Sequence, residues 1–161
     1  MTAAPTIAPT IAPTIAAATP EDFEALADRL RPVDLEEIRA ASGLGPADAL
    51  RRSWAFSTHV WVARDVEARP IAVWGVGPLS LISGRGCPWL LASDAFDGIG
   101  RDVARHSRQW LGVVRGLYPR LENHVDARNV RSVRWLAWLG FTIDPPAPWG
   151  VEGRPFHRFW I

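Results

Sequence analysis

The chain has one cysteine, one tyrosine, one methionine and no lysine. A lone cysteine, Cys87, excludes an internal disulfide framework and a zinc site built from cysteines. A reducing compartment is the simpler reading. No apolar run is long enough to span a bilayer. The N-terminus lacks the basic start and continuous apolar core of a secretory signal, with no arginine before Arg29. There is no Gly-x-Ser-x-Gly elbow and no phosphate-binding P-loop, so hydrolase and nucleotidase readings fail at the motif. An excess of one charge is also missing. The chain carries 18 arginines against 17 acidic residues, which argues against nucleic acid or an anionic membrane as a partner. A soluble protein kept inside a cell or a particle is expected.

What is present is a chain of 161 residues with 48% apolar content, enough for one domain with a real core. Its nine tryptophans are spread along the whole chain, from Trp54 to Trp160. Most lie in apolar periodic segments, so a core filled with large rings is the leading reading. A docking surface is the alternative, because Trp is enriched in interface hot spots.

Residues 4–15 repeat Ala-Pro-Thr-Ile three times. A proline every fourth residue forbids a helix. In an extended chain Pro and Ile fall on one side and Ala and Thr on the other. The expectation is an extended tail over 1–19, either a flexible leader or a peg lying on a neighbouring subunit, followed by one domain over 20–161. Phe23–Leu30 is open between a helical turn and a first strand. Helices are predicted over Pro32–Ala41, Pro46–Trp54, Gly98–Tyr118 and Val130–Leu139, the last ended by Gly140. Strands are predicted over His59–Val66, Pro70–Val76, Cys87–Ser93, Leu121–Val125, Phe141–Ile143 and Pro155–Ile161, with a Pro-rich loop over Asp144–Gly153. The order predicts an α/β (α+β) fold, a mixed and mostly antiparallel sheet with helices on both faces.

Three stretches carry a resemblance. Ala95-Phe96-Asp97-Gly98-Ile99-Gly100 stands between a strand and the long helix. Asn129 follows a later strand. Gly140-Phe141 closes the helix after it. In this order the chain resembles the GNAT acetyltransferase fold over roughly residues 24–161, with the best match from Cys87 onward. The resemblance implies acetyl-CoA bound by Leu91, Ala92, Ser93, Gly98, Ile99, Gly100, Arg101 and Asn129. Backbone N–H groups of the loop and helix start would hold the diphosphate. The chain departs from the pattern at three points. Ala95 replaces the basic or amide residue that usually opens the loop, and Asp97 adds a negative charge beside it. The tyrosine that commonly acts as general acid is replaced by Leu136, and Tyr118 lies elsewhere. The usual glutamate base is missing from the preceding strand, where Asp94 is the nearest acid.

A narrower resemblance rests on Pro88-Trp89-Leu90-Leu91, on Tyr118-Pro119 ahead of Leu121–Asn129, and on Trp135–Phe141. These are similar to segments of acetyltransferase-like internal virion proteins of short-tailed bacteriophages. That implies a structural role in the virion or the infected bacterial cytoplasm, with the tail contacting other phage subunits and room for a homo-oligomer. The alternative is a working N-acyltransferase that uses acetyl-CoA on an amine, with Glu122, His124 or Asp94 taking the amine proton. Glu122, His124 and Asp126 alternate along one strand and share a face. A metal site is not expected there, because i, i+2 neighbours rarely all reach one ion. A hydrogen-bonded polar strand end is the leading reading of that trio, ahead of a Glu122–His124 acid–base pair. Arg128, Arg131 and Arg134 recur every third residue. They read first as a solvated helix face paired with acids and second as phosphate ligands.

Overall fold

A computed structural model describes residues 13–80 and 82–161, and for Gly100 and Arg101 the backbone alone. Most of the threefold repeat lies outside the described residues. Its last three residues, 13–15, are inside them, and Thr14–Ala17 forms strand β1, antiparallel to β2 (His59–Arg64). The domain therefore begins before Pro20. The end of the repeat is extended as expected, and it adds an edge strand to this chain's own sheet.

Helix α1 (Pro20–Ala27) settles the ambiguous segment. Thr19 and Asp22 form a capping box at its start, with the Thr19 N–H donating to the Asp22 carboxylate at 2.8 Å. Helices α2 (Pro32–Ser42) and α3 (Pro46–Ala55) follow, each with proline in its first turn. Strands β3 (Pro70–Ser80) and β4 (Arg85–Ala92) are longer than the sequence suggested. A 3-10 turn over Asp94–Ile99 leads into α4 (Gly100–Leu117). Then come β5 (Arg120–Asp126), α5 (Val130–Leu139), β6 (Thr142–Ile143), β7 (Ala147–Trp149) and β8 (Arg154–Trp160). Strand β7 lies inside the segment expected to be a Pro-rich loop.

The strands form one sheet in the order β1-β2-β3-β4-β5-β8-β6, with β7 paired to β8. The β4–β5 pair is parallel and every other pair is antiparallel. Apolar residues of α1, α2 and α3 pack on one face around Leu26, Leu50 and Val62. Those of α4 and α5 pack on the other around Val114, Leu136 and Phe159. Of the tryptophans only Trp74 is fully buried. Trp61, Trp89, Trp110 and Trp135 are half-buried, and Trp54, Trp138, Trp149 and Trp160 are exposed.

The β4–β5 ladder is short. Registered pairs are confined to Arg85 with Arg120 and Gly86 with Leu121. Beyond them the two strands separate, and α2 crosses the opening. The C-terminal end of α2 is held by the β7–β8 hairpin: Val151 and Glu152 donate N–H groups to the carbonyls of Ala41 and Ala40 at 3.3 and 3.2 Å. Gly150 makes that contact, at φ +74° and with its α-carbon face against the Ala40 carbonyl. A side chain there meets both a left-handed backbone and a backbone collision. Gly150→Ala is expected to cost at least about 3 kcal/mol in urea unfolding.

Candidate functional site

The separation of β4 and β5 has a local chemical cause. The Asn123 side-chain amide donates to the Pro88 carbonyl at 2.8 Å, so that carbonyl faces β5. In a strand the N and O of one residue point the same way. The nitrogen turned toward β5 therefore belongs to a proline and carries no hydrogen. The ladder loses a donor there and stops. Asn123 Oδ1 also accepts the His124 N–H at 2.8 Å. One amide thus satisfies backbone groups of both strands at the narrow end of the opening.

By alternation the peptide groups of Leu90 and Ala92 face the same side as that of Pro88. Those of Ala92 are taken by α2. Its N–H donates to the Asp34 carboxylate at 2.9 Å, and its carbonyl accepts the Arg31 N–H at 2.9 Å. On β5 the Asp126 N–H donates to the Glu37 carboxylate at 3.2 Å. Asp34 and Glu37 are one helical turn apart, so α2 serves one strand with each. Leu90 keeps its N–H and carbonyl turned into the cleft with no strand opposite.

The cleft opens into a cavity of about 890 Å³. One arm runs under α2 and α3, along Ser57, Trp89, His124 and Trp149. The other runs under the 3-10 turn, α4 and α5, along Phe96, Asp97, Trp110, Arg131 and Trp135. The indole N–H groups of Trp110 and Trp135 are buried with no acceptor among the described residues. An unpaired buried donor costs about 1–3 kcal/mol.

The fold as a whole can be compared with known proteins. No protein-family model and no curated protein sequence matches the chain. Solved structures do match. The spermidine N-acetyltransferase of Vibrio cholerae, in complex with CoA and spermine, has a TM-score of 0.68 at 15% identity, covering 92% of this chain and 94% of that one. A chimera of the Vibrio cholerae enzyme and hSSAT gives 0.69 at 14%, covering 94% and 95%. An N-acetyltransferase from Staphylococcus aureus Mu50 gives 0.67 at 12%, covering 92% and 97%. The chain has the GNAT acetyltransferase fold. These relatives are N-acetyltransferases and lend no support to the narrower kinship with phage virion proteins.

Within the GNAT frame the expected site residues divide. Leu91 pairs with Val73 in the β3–β4 ladder. The Ala92 peptide is filled by Asp34 and Arg31, and the Ser93 N–H and hydroxyl both donate to the Ile71 carbonyl, at 2.9 and 3.1 Å. Leu91, Ala92 and Ser93 therefore offer little backbone to a ligand, and Leu90 is the residue that does. Gly98 and Ile99 lie in the 3-10 turn, and Gly100 starts α4. Gly98 has open space around it and no positive φ, so nothing steric demands glycine there. The side chain of Arg101 is outside the described residues. Asn129 caps α5, accepting the Ser132 N–H at 3.3 Å, and donates to the Glu37 carboxylate at 3.3 Å.

The expected proton acceptors fare less well. Asp94 is exposed on the 3-10 turn and lies off the cavity wall. Glu122 is on the wall, but Arg158 and Arg85 both grip it, at 2.9 and 3.2 Å. Those guanidinium groups, Arg158 foremost, hold its carboxyl below the usual range. Glu122 and His124 share a face but make no hydrogen bond to each other. His124 stacks on Trp149 at 4.3 Å, and burial lowers its pKa, so it is neutral at pH 7. Leu136, in the place of the usual tyrosine, is part of the core. The Tyr118 hydroxyl is 3.1 Å from Thr58 Oγ1, away from the cleft. Burial pushes the Cys87 thiol up to about 11, which disfavours the thiolate that a nucleophile needs. Arg128 and Arg131 are paired with acids, as first read: Arg128 with Asp126 and Glu36, Arg131 with Asp97. Among the described residues no cluster of His, Cys, Asp or Glu is arranged to hold a metal.

Sequence reasoning missed Asp34, Glu37 and Asn123. Asp34 was read as a helix start, and its partner Ala92 is 58 positions away. Pro88 inside an apolar strand was the available clue to Asn123, since a proline in a central strand must face a break. Glu37 is the most perturbed of them. Burial pushes its carboxyl up to about 7, helped by the nearby Asp34 and Asp126 charges and opposed by the bonds from Asn129 and Asp126. Its folded pKa stands above its ordinary value near 4.5. Between those values the folded chain holds a proton that the unfolded chain has released, so stability falls as pH rises through that window. Relative to Glu37→Gln, the native chain is expected to lose on the order of 2–3 kcal/mol between pH 5 and pH 8, read by urea unfolding.

Proposed function

We propose that this protein is an acyl-CoA-dependent N-acyltransferase that acts on an amine. The feature that carries the reading is the Leu90 peptide, which strand alternation turns toward the opening between two separated strands, with no partner for its N–H or carbonyl among the described residues. An unpaired strand edge at the head of a cavity fits the amide-bearing arm of coenzyme A, which can add to β4 as a further strand would. The indole donors of Trp110 and Trp135 fit the same arm, since each needs an acceptor. Arg31 and Arg131 fit the phosphates, because both reach the 3-10 turn at the start of α4.

The donor supplies an activated acyl carbon. The chain supplies position, and the Leu90 N–H is a main-chain donor that can polarise the acyl oxygen. With Leu136 in the core and Tyr118 remote, neither supplies an acid to the departing thiolate. The rate is therefore carried by positioning and by removal of the amine proton. A retired scaffold would have no reason to keep a cleft of this size open along the Leu90 edge.

Asp97 occupies a telling place. Its carboxylate pairs with Arg31 at 3.3 Å and with Arg131 at 2.9 Å, and so competes with a diphosphate for both. Calorimetry with acetyl-CoA is expected to give micromolar binding, and Asp97→Asn is expected to tighten it about fivefold by releasing the two guanidinium groups. Absence of any binding heat in the native chain overturns the reading. Thiol release from acetyl-CoA with primary amines then measures turnover.

A further inference from the structure

The cavity wall carries four acidic side chains: Asp34, Glu37, Asp97 and Glu122. Three of them are neutralised by arginine. Asp34 pairs with Arg31 at 2.9 Å, Asp97 with Arg31 and Arg131, and Glu122 with Arg85 and Arg158. Glu37 is different. Its carboxylate accepts the Asp126 N–H and the Asn129 amide, and it has no cationic partner among the described residues. It lies on the cavity wall, and its bond to the Asp126 N–H places it where α2 reaches across to β5. The rest of that arm combines Ile38, Leu44, Trp89 and the Trp149 ring that stacks on His124 with the neutral polar Ser53, Ser57 and Asn123, and its other acid, Glu122, is held by Arg85 and Arg158. The cation at its far end, Arg52, is engaged with the Phe56 ring and not with an acid.

We infer that Glu37 is the catalytic base, and that the acceptor is a primary amine with a single positive charge on an apolar or aromatic body. This rests on the acyltransferase reading. An ammonium group entering the arm finds one uncompensated carboxylate, so one charge is matched. A second ammonium on the same molecule would lie against aromatic walls or near Arg52, with no second uncompensated anion among the described lining residues to meet it. Glu37 takes one proton from the ammonium and later gives it to solvent. The freed lone pair forms the N–C bond to the acyl carbon, and the C–S bond breaks with its electrons left on sulfur. The second proton lost by the nitrogen balances the thiolate as free thiol.

The charged groups facing Glu37 come from each element around it. Asp34 and Arg31 lie on its own helix, Asp126 on β5, and Arg128 on the loop after β5, where it grips both Asp126 and Glu36. Asp126 and Asp34 are the nearest negative charges, and both are already tied to arginine. That leaves Glu37 as the group free to cycle a proton near neutrality.

The test compares the native chain with Glu37→Gln, which keeps an oxygen to accept the Asp126 N–H and the Asn129 amide. Carbon-13 titration of the unliganded protein is expected to show one glutamate carboxyl near pH 7 that the variant lacks. Thiol release with 2-phenylethylamine is expected to rise with pH through about 7 in the native chain. It should fall about 100-fold in Glu37→Gln, with that limb gone and acetyl-CoA binding unchanged. Spermidine is expected to be at least tenfold poorer in kcat/KM than 2-phenylethylamine. Glu36→Gln, an exposed neighbour, serves as the control at the native rate. A Glu37→Gln rate within threefold of native, with the same pH profile, makes Glu37 a structural cap and overturns the inference alone. Preference for spermidine overturns the acceptor class. A native chain that binds no acetyl-CoA overturns this inference together with the reading beneath it.

Discussion

A parallel strand pair that separates exposes two rows of peptide groups to a protein interior, and those groups must find partners. In this chain α2 provides them. Its main-chain N–H at Arg31 and its carboxylates at Asp34 and Glu37 take three of the freed groups, one strand's and then the other's. The far end of the same helix is held by the β7–β8 hairpin. The helix is thereby fixed at both ends and along its length across an opening that would otherwise close or flood. The cavity, the free Leu90 edge and the placement of Glu37 all depend on that arrangement.

Charge in the molecule follows from having arginine as the sole strong cation. A guanidinium offers several donors in a fixed fork and stays charged when partly buried. Arg31 reaches both Asp34 and Asp97, Arg158 reaches both Glu122 and Asp144, and Arg128 reaches both Asp126 and Glu36. Each of these carboxylates has a guanidinium beside it to balance its charge. Glu37 escapes the pattern because the groups that reach it are a peptide N–H and a neutral amide, which stabilise a charge less than an arginine would.

The parts of this structure that could be read from the sequence are those whose cause is local. Gly140 ends α5 in a left-handed conformation at φ +99°, as the helical periodicity before it required. Asn129 caps the same helix, and prolines open α2 and α3. The fold follows from such signals taken in order. The site is another matter. Glu37 and Asp126 are 89 positions apart, and no periodicity on α2 tells which of its acids will face a strand and which will face water. Glu122 looked reactive because acidity is a property of the residue, whereas its quiet state comes from Arg85 and Arg158, which other strands deliver. The repeat at the N-terminus was legible as extended chain, but pairing with β2 depends on an edge that only the assembled sheet presents.

Asn123 also acts as a ruler. It closes the cleft between Pro88 and His124, and the cleft's other end is marked by the Ala92 peptide under α2. The run of β4 from Pro88 to Ala92 spans about 13 Å at the usual rise of a strand. A linear molecule that enters beside β4 travels that distance and then meets a side chain whose two ends are already committed. The depth of the slot is thus set by the backbone rise of one strand, and what reaches the bottom is decided by length before it is decided by chemistry.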